Sequence, residues 1–172
     1  MIPYGNASTR EINVLAEDPT VLASNGKPLL TKVRVPLETV LPGPRGARIE
    51  VVDYDSATGH FYEAFDFAKD GDIFATNPSA AKITSDPRYH AQQVYGVAAA
   101  TLFEFERALG RSLAWGFDGR SHQLKIIPHA MREENAFYSR EDEALCFGYF
   151  EDPHKNNGTV FTCSKGAPAI AC

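Results

Sequence analysis

The 172-residue sequence lacks several features that define whole classes of proteins. Its three cysteines are an odd number, which does not make a disulfide framework, and they contain no C-x-x-C pair that would indicate redox or metal chemistry. No apolar run approaches the roughly 18 residues of a membrane helix, and the first residues lack the charged and apolar pattern of a secretion signal. The sequence therefore predicts a cytoplasmic protein.

Clustered positive charge is also missing. The 17 Lys and Arg residues are scattered, and 22 Asp and Glu residues outnumber them, so the formal net charge is −5. Because phosphate groups bind clustered basic side chains, this composition argues against nucleic acids and membranes as partners. A hydrophobic content of 44% and a charged content of 23% are ordinary for a globular protein, and the length fits a single domain over residues 1–172.

Familiar catalytic signatures are scarce. The sequence has no G-x-S-x-G elbow for a nucleophilic serine and no phosphate-binding glycine loop. His122 and His129 bracket a predicted strand at a spacing that puts them on opposite faces, so one ion cannot bind both without a bend. We expect the histidines to be solvated or hydrogen-bonded, and they are His60, His90, His122, His129 and His154.

The clearest positive signal is a long helix predicted over Pro87–Leu109. Asp86 suits the N-cap, Pro87 suits the first turn, where its missing N–H is not needed, and Gly110 suits the C-cap. Small residues around Gly96 narrow one section, which lets another element approach closely. Apolar residues recur at steps of three and four and form one stripe, namely Val94, Ala98, Leu102, Phe105 and Leu109.

Strand patterns stand on both sides of this helix. Residues 48–55 and 60–65 alternate around a turn and predict a β-hairpin, and residues 123–127 alternate as a further strand. Residues 1–46 read as an irregular arm or edge strand followed by a Pro- and Gly-rich connector. Together these patterns predict an α+β fold, with hairpins of a mixed or antiparallel sheet packed against the one long helix, at about 87–109.

Residues 135–150 carry the most specific order of residue types. The segment reads as two short strands, 135–138 and 144–150, joined by a charged turn. Asn-Ala-Phe-Tyr, a polar turn and a strand ending in Phe-Gly-Tyr-Phe follow the long helix. This order resembles the thermolysin-like zinc peptidases, and the resemblance extends over residues 86–163.

The resemblance implies a role for the first of these strands. In the peptidases the corresponding strand borders the active-site cleft and binds the substrate peptide through backbone pairing. By this likeness, the Asn135 side chain would hydrogen-bond the substrate and Ala136 would offer backbone groups. Phe137 and Tyr138 would form part of the cleft wall.

The catalytic helix of that family has no counterpart here. Its H-E-x-x-H motif supplies two zinc ligands and a glutamate base, and this sequence contains no such motif. Residues 160–163 resemble the lead-in to that helix, but an unrelated sequence, 164–172, follows. We therefore expect a peptidase-like core over 47–163, as from a truncated reading frame, with no zinc site and no zinc-peptidase activity.

Carboxylates are the remaining candidates for metal binding. Asp66, Asp70 and Asp72 crowd one predicted loop, and oxygen-rich loops suit Ca²⁺. The alternative is that these are turn residues, because Asp and Gly accept unusual backbone angles. Glu151 and Asp152 stand near the place where the peptidase family keeps a calcium carboxylate, so the resemblance adds them as calcium candidates.

Two other functions remain open. One is a metal-assisted hydrolase of small esters or lactones, in which Ca²⁺ polarises the carbonyl and one of four acids, Asp53, Asp55, Glu141 or Glu143, activates water. Asp53 and Asp55 would share one face of a strand. The other is a non-enzymatic binding or assembly domain, because exposed strand edges and apolar patches attract partners. It predicts a homo-oligomer with residues 135–150 at or near the interface.

Overall fold

The computed structural model describes residues 8–117, 122–151 and 159–161 of the chain, the last three and residue 151 by backbone alone. The fold is α+β, as the sequence predicted. Its strands are β1 (Thr9–Leu15), β2 (Leu30–Pro36), β3 (Ile49–Val51), β4 (Tyr54–Asp55), β5 (His60–Phe61), β6 (Leu124–Met131), β7 (Ala136–Ser139), β8 (Ala144–Glu151) and β9 (Thr159–Phe161). Its helices are α1 (Phe67–Asp70), α2 (Ala80–Ser85) and α3 (Pro87–Leu109), with a 3-10 turn at Ile73–Thr76. No helix within these ranges has the length and apolar character needed to cross a membrane.

Helix α3 has the predicted bounds because both of its ends are capped locally. The Asp86 side chain accepts a hydrogen bond from the backbone N–H of Arg88 at 3.1 Å, and Pro87 occupies the first turn. Gly110 ends the helix in the left-handed conformation, with φ of 65°. The helix therefore begins and ends where the sequence predicted.

The most deeply buried face of α3 is not the apolar stripe seen in the sequence. Tyr95, Ala99 and Phe103 lie in the core, whereas Phe105 is 58% exposed and Leu109 is 52% exposed. The helix packs closely on β1 at Gly96, where an added Cβ would lie 2.9 Å from side-chain atoms of both Ile12 and Val14. Because of this close approach, the side of α3 that carries Tyr95 faces the core. The apolar stripe predicted from the sequence lies instead at the border of an apolar groove.

The main sheet has five strands in the order β3-β6-β8-β7, with β9 paired to β8. Strands β3, β6 and β8 are parallel, and β7 runs antiparallel to β8 as a terminal strand of this order. The carboxyl ends of the three parallel strands therefore lie at the same end of the sheet. Helix α3 contacts β3 and β6 and covers that part of one face.

The predicted hairpin of residues 135–150 is present as β7 and β8. The hairpin predicted for residues 48–65 is smaller than expected. Strand β3 pairs in parallel with β6, and only two residues from each arm, in β4 and β5, pair with each other. The alternating pattern predicted the strands. Strand β3, however, pairs with β6, which lies far along the sequence, and not with the second arm of the predicted hairpin.

The first 46 residues contain more regular structure than an irregular arm. Strands β1 and β2 form an antiparallel hairpin of seven residues each. Ile12, Val14 and Val35 from this hairpin are buried, and both strands contact α3. The burial of these side chains against α3 stabilises the hairpin. The many turn-forming residues in this part of the sequence had favoured an irregular arm instead.

Candidate functional site

Strand β7 presents backbone groups at the border of the main sheet. The Gly148 N–H donates to the Asn135 carbonyl at 2.8 Å, and Ala136 lies opposite Phe147 in the register. In an antiparallel pair, alternate residues bond to the partner strand, so Phe137 faces β8 with its backbone groups. The N–H and C=O groups of Ala136 and Tyr138 then point away from β8. No other strand pairs with this outer side in the part of the chain that the structure describes.

The four predicted substrate-binding residues lie together at this border. Asn135 is exposed directly before β7, and Phe137 and Tyr138 are each 46% exposed. Ala136 has the smallest side chain of the strand and lies between the exposed positions. The structure thus brings these residues onto one accessible edge, while their role in binding stays a prediction.

Gly148 fixes the position of the segment that leads into β7. A Cβ atom at this residue would lie 2.0 Å from the Glu133 carbonyl oxygen and 2.9 Å from the Asn135 carbonyl oxygen. Only glycine allows the chain around Glu133 to approach β8 this closely. The glycine of the Phe-Gly-Tyr-Phe sequence therefore sets the place of Asn135 at the edge.

An apolar groove runs between α3 and the face of β8, with a volume of about 440 Å³. Leu145 and Phe147 of β8 form its floor, and Tyr138 and Ala136 share their face of the sheet because opposite residues of paired strands do so. Apart from Gln93 and Thr101, the described lining is apolar, namely Val94, Val97, Ala98, Leu102, Phe105, Leu113, Trp115, Leu124, Ile126, Leu145 and Phe147. Ala136 and Tyr138 therefore lie on the sheet face that carries the groove floor, although they do not line the groove itself.

Trp115, the single tryptophan of the sequence, is held against one end of this groove. Its indole N–H donates to the Arg48 carbonyl at 3.2 Å, and the Arg48 guanidinium lies 5.1 Å from the ring centroid. Arg48 also donates to Glu106 on α3 at 2.9 Å. Trp115 is therefore a fixed fluorescent reporter of this groove.

A chain of buried polar groups lies at the carboxyl ends of the parallel strands. His129 on β6 bonds through Nδ1 to Asp53, which follows β3. His129 Nε2 lies 3.2 Å from His90 Nδ1 on α3, and His90 Nε2 lies 2.7 Å from the Ile83 carbonyl oxygen. The Ile83 carbonyl can only accept, so His90 Nε2–H donates to it and His90 Nδ1 accepts from His129 Nε2–H.

His90 is the group in this hydrogen-bonded series whose charged form is disfavoured. Burial and the neighbouring His129 lower the pKa of His90 to about 3. The His90 ring is therefore neutral at neutral pH.

A second carboxylate is enclosed beside this chain. Asp55 is 1% exposed and accepts from the Tyr149 hydroxyl at 2.7 Å and from the Tyr62 hydroxyl at 3.3 Å. Burial opposes the ionisation of Asp55, but the hydrogen bonds that it accepts outweigh this and lower its pKa. Burial and the bond to Asp55 raise the pKa of Tyr149 to about 12. The Tyr62 ring contacts His129, which joins the two carboxylates in one cluster.

The four acids proposed for ester hydrolysis do not come together. Asp53 and Asp55 are buried in this cluster, at the carboxyl ends of the parallel strands. Glu141 and Glu143 lie in the turn before β8, whose first residue pairs with Lys125 of β6. Because Lys125 precedes His129 by four residues along a strand, about 13 Å separates the two ends. The acids therefore form two separate groups.

The three predicted calcium carboxylates each bind groups of the protein itself. Asp66 caps α1 by accepting from the Ala68 N–H at 2.8 Å, and Asp70 accepts from the Asp66 N–H at 3.1 Å. Asp72 accepts from Asn13 and from the Gln92 side chain. Within the described ranges, no three His, Cys, Asp or Glu side chains are grouped as metal ligands. These contacts favour the structural alternative for the loop.

The two calcium candidates after β8 and the predicted solvated histidines differ in how far the structure describes them. Glu151 is described by its backbone only, and Asp152 and His154 lie outside the described residues. His60 and His122 are exposed. His129, expected to be solvated or hydrogen-bonded, is hydrogen-bonded. The sequence held no signal for its partner His90, because the two are 39 residues apart.

Two regions of different character thus stand out, the enclosed Asp–His–Tyr cluster and the open β7 edge with its groove. Comparison with family models, curated proteins and solved structures found no match to this chain.

Proposed function

We propose that this chain is a non-hydrolytic peptide-binding domain of hydrolase ancestry, which takes an extended segment as an added strand on β7. The observation that carries the proposal is the outward direction of the Ala136 and Tyr138 backbone groups, which have no paired strand among the described residues. Two residues supply two donors and two acceptors at the spacing that an extended peptide matches.

The side chains of β7 support the same use. Soluble proteins normally protect an edge strand with charges or proline, yet Ala136, Phe137, Tyr138 and Ser139 contain neither. Two of these side chains are exposed aromatic rings that give an added strand large apolar surfaces to contact. The resemblance to the thermolysin-like cleft strand assigns a peptide to the same four positions, 135–138.

The absence of hydrolysis in the proposal follows from the sequence and from the contacts of the acids. Without H-E-x-x-H the chain lacks the residues that would hold zinc and act as its base. Asp53 and Asp55 are enclosed by histidine and tyrosine partners. Neither carboxylate borders β7, so a peptide paired there would meet no positioned base.

The test is a titration of the ¹⁵N-labelled chain with an acetylated Thr-Val-Thr-Val-Thr amide. We expect the amide signals of Ala136 and Tyr138 to shift and their hydrogen exchange to slow, because a new strand would bond to both. A matched peptide that is N-methylated at every residue has no backbone donors on either of its two edges. Equal binding of this methylated peptide, or no shift with either peptide, would contradict strand addition.

A pair of variants at one position sharpens the test. Ala136→Pro removes the outward N–H without removing a bond to β8, whereas Ala136→Val retains the N–H and suits a strand. Peptide binding should be lost in the first variant and kept in the second. Incubation of the chain with casein and Zn²⁺ should give no turnover, and turnover abolished by a chelator would overturn the non-hydrolytic assignment.

A further inference from the structure

We propose that a second copy of this chain occupies the same edge when no peptide is bound, with two β7 strands paired antiparallel about a twofold axis at Phe137. This inference rests on the proposed function only for the competition between peptide and copy. The backbone, the side chains and the flanking charges of β7 support the dimer independently of peptide binding.

The backbone alternation allows three symmetric registers. The outward-facing residues are Ala136 and Tyr138, so the twofold axis must pass through position 136, 137 or 138. With the axis at Phe137, Ala136 pairs with the partner's Tyr138 and Tyr138 pairs with the partner's Ala136. All four outward groups of each strand then bond to the other copy.

The side chains match in this central register. The small Ala136 lies beside the partner's Tyr138 on the groove face, so the large ring meets the smallest residue of the strand. Phe137 meets the partner's Phe137 on the opposite face, and aromatic pairs across strands are stabilising. Because both rings are 46% exposed in the single chain, the pairing would remove apolar surface from water.

Charges on the flanks distinguish the three registers. Glu134 lies in the bend two residues before β7 and Arg140 in the turn directly after it, and both are exposed. An axis at Phe137 therefore sets the end of β7 that carries Glu134 beside the partner's Arg140, and the symmetry makes this approach twice. An axis at Tyr138 instead brings Glu134 toward the partner's Asp142, and an axis at Ala136 brings Arg132 toward the partner's Arg140. Both alternatives oppose like charges, so charge complementarity selects the central register.

One contact opposes the pairing and serves as a further probe. The same register brings Glu133 toward the partner's Glu141, a like-charge pair at the exposed ends of the strand. Glu141→Lys would turn this repulsion into attraction. The variant should therefore dimerise more tightly than the natural chain.

Analytical ultracentrifugation of the full chain provides the first test. We expect a concentration-dependent dimer that Arg140→Glu weakens about tenfold, since two attractive exposed pairs become repulsive. The double variant Glu134→Arg with Arg140→Glu restores opposite charges and should recover the dimer. A monomer at all concentrations, or a dimer that Arg140→Glu leaves unchanged, would overturn the proposal.

Cross-linking tests the axis directly. In a chain with Cys146→Ala, Cys163→Ser and Cys172→Ser, Phe137→Cys places a thiol opposite its own copy at the Cα separation of a non-bonded antiparallel pair, about 4.5 Å. Oxidation should give a disulfide dimer, and Ser139→Cys in the same background should not. Equal cross-linking of both variants would exclude this register.

Peptide binding separates this inference from the proposed function. Arg140→Glu lies outside the peptide-contacting residues and should bind the Thr-Val peptide more tightly than the natural chain, because less dimer competes. A dimer with no peptide binding would refute the proposed function alone. Peptide binding by a chain that stays monomeric would refute the dimer alone.

Discussion

The enclosed cluster and the β7 edge are both polar, but they differ in where their polar groups find partners. The chain from Asp53 through His129 and His90 to the Ile83 carbonyl is closed within the protein. The outward groups of Ala136 and Tyr138 have no such strand partner among the described residues. This difference predicts different roles: we expect the cluster to stabilise the fold, and we propose the edge as the binding region.

Removal of Asp53 should cause the largest loss of stability among the variants of the enclosed cluster. Asp53→Ala leaves His129 buried without its carboxylate, and we expect the free energy of unfolding to fall by about 3 kcal/mol in urea denaturation. The control Glu141→Ala, in an exposed turn, should change it by less than about 0.5 kcal/mol. Equal effects would mean that the cluster contributes nothing special to stability.

The next largest effect is expected from acid, which should lower the free energy of unfolding through His90. His90 has its pKa lowered from 6.5 to about 3 in the fold, first by burial and then by His129. Between these values His90 binds a proton in the unfolded chain but not in the native chain, so the contribution of His90 to stability is complete above pH 6.5 and falls as the pH drops toward 3. The slope is at most about 1.4 kcal/mol per pH unit.

Urea denaturation at several pH values measures this slope. His90→Gln removes the titrating ring and should flatten the dependence between pH 6.5 and 4.5. His60→Gln, at an exposed histidine, should retain it. An unchanged slope in His90→Gln would assign the acid sensitivity to other groups.

Gly148 allows the segment that leads into β7 to lie close to β8. Gly148→Ala would place a Cβ 2.0 Å from the Glu133 carbonyl oxygen, a backbone atom that cannot rotate away. We expect a loss of about 2 kcal/mol in unfolding free energy together with altered amide signals in β7. Gly116→Ala, where nothing lies within 4 Å, is the matched control and should be neutral.

The smallest effect is expected in the groove. Phe105→Ser alters a side chain that is 58% exposed and should change stability by no more than about 0.5 kcal/mol. Phe103→Ser, two residues away on the same helix and 6% exposed, should cost about 3 kcal/mol. Unfolding followed by Trp115 fluorescence measures both, and similar losses would mean that the stripe belongs to the core.

Much of the fold was visible in the sequence wherever the signal was local. Asp86, Pro87 and Gly110 mark the ends of α3 because capping depends on neighbours within a few residues. The hairpin of β7 and β8 was predicted because two short apolar segments flank one charged turn. The pairing of β3 with β6 was not, because it joins residues on either side of α3.

The candidate site divides in the same way. Residues 135–138 were predicted as binding residues from residue order, through the resemblance, and this role stays a prediction; the structure brings the four residues to one accessible border. The histidine and carboxylate cluster was missed as a unit, although Asp53, Asp55 and His129 were each considered. Their partners His90, Tyr62 and Tyr149 come from α3, the segment after β5 and strand β8, so no spacing along the chain could reveal them.

The ends of α3 and the β7–β8 hairpin could be read from the sequence alone, because helix caps and short apolar segments around a turn depend on residues close together in the chain. Only the tertiary structure decided which face of α3 is buried and which polar groups are enclosed. Close packing of β1 at Gly96 turns the helix, and strand order brings together Asp53 and His129, which are 76 residues apart. These outcomes depend on contacts between distant segments, which no local pattern encodes.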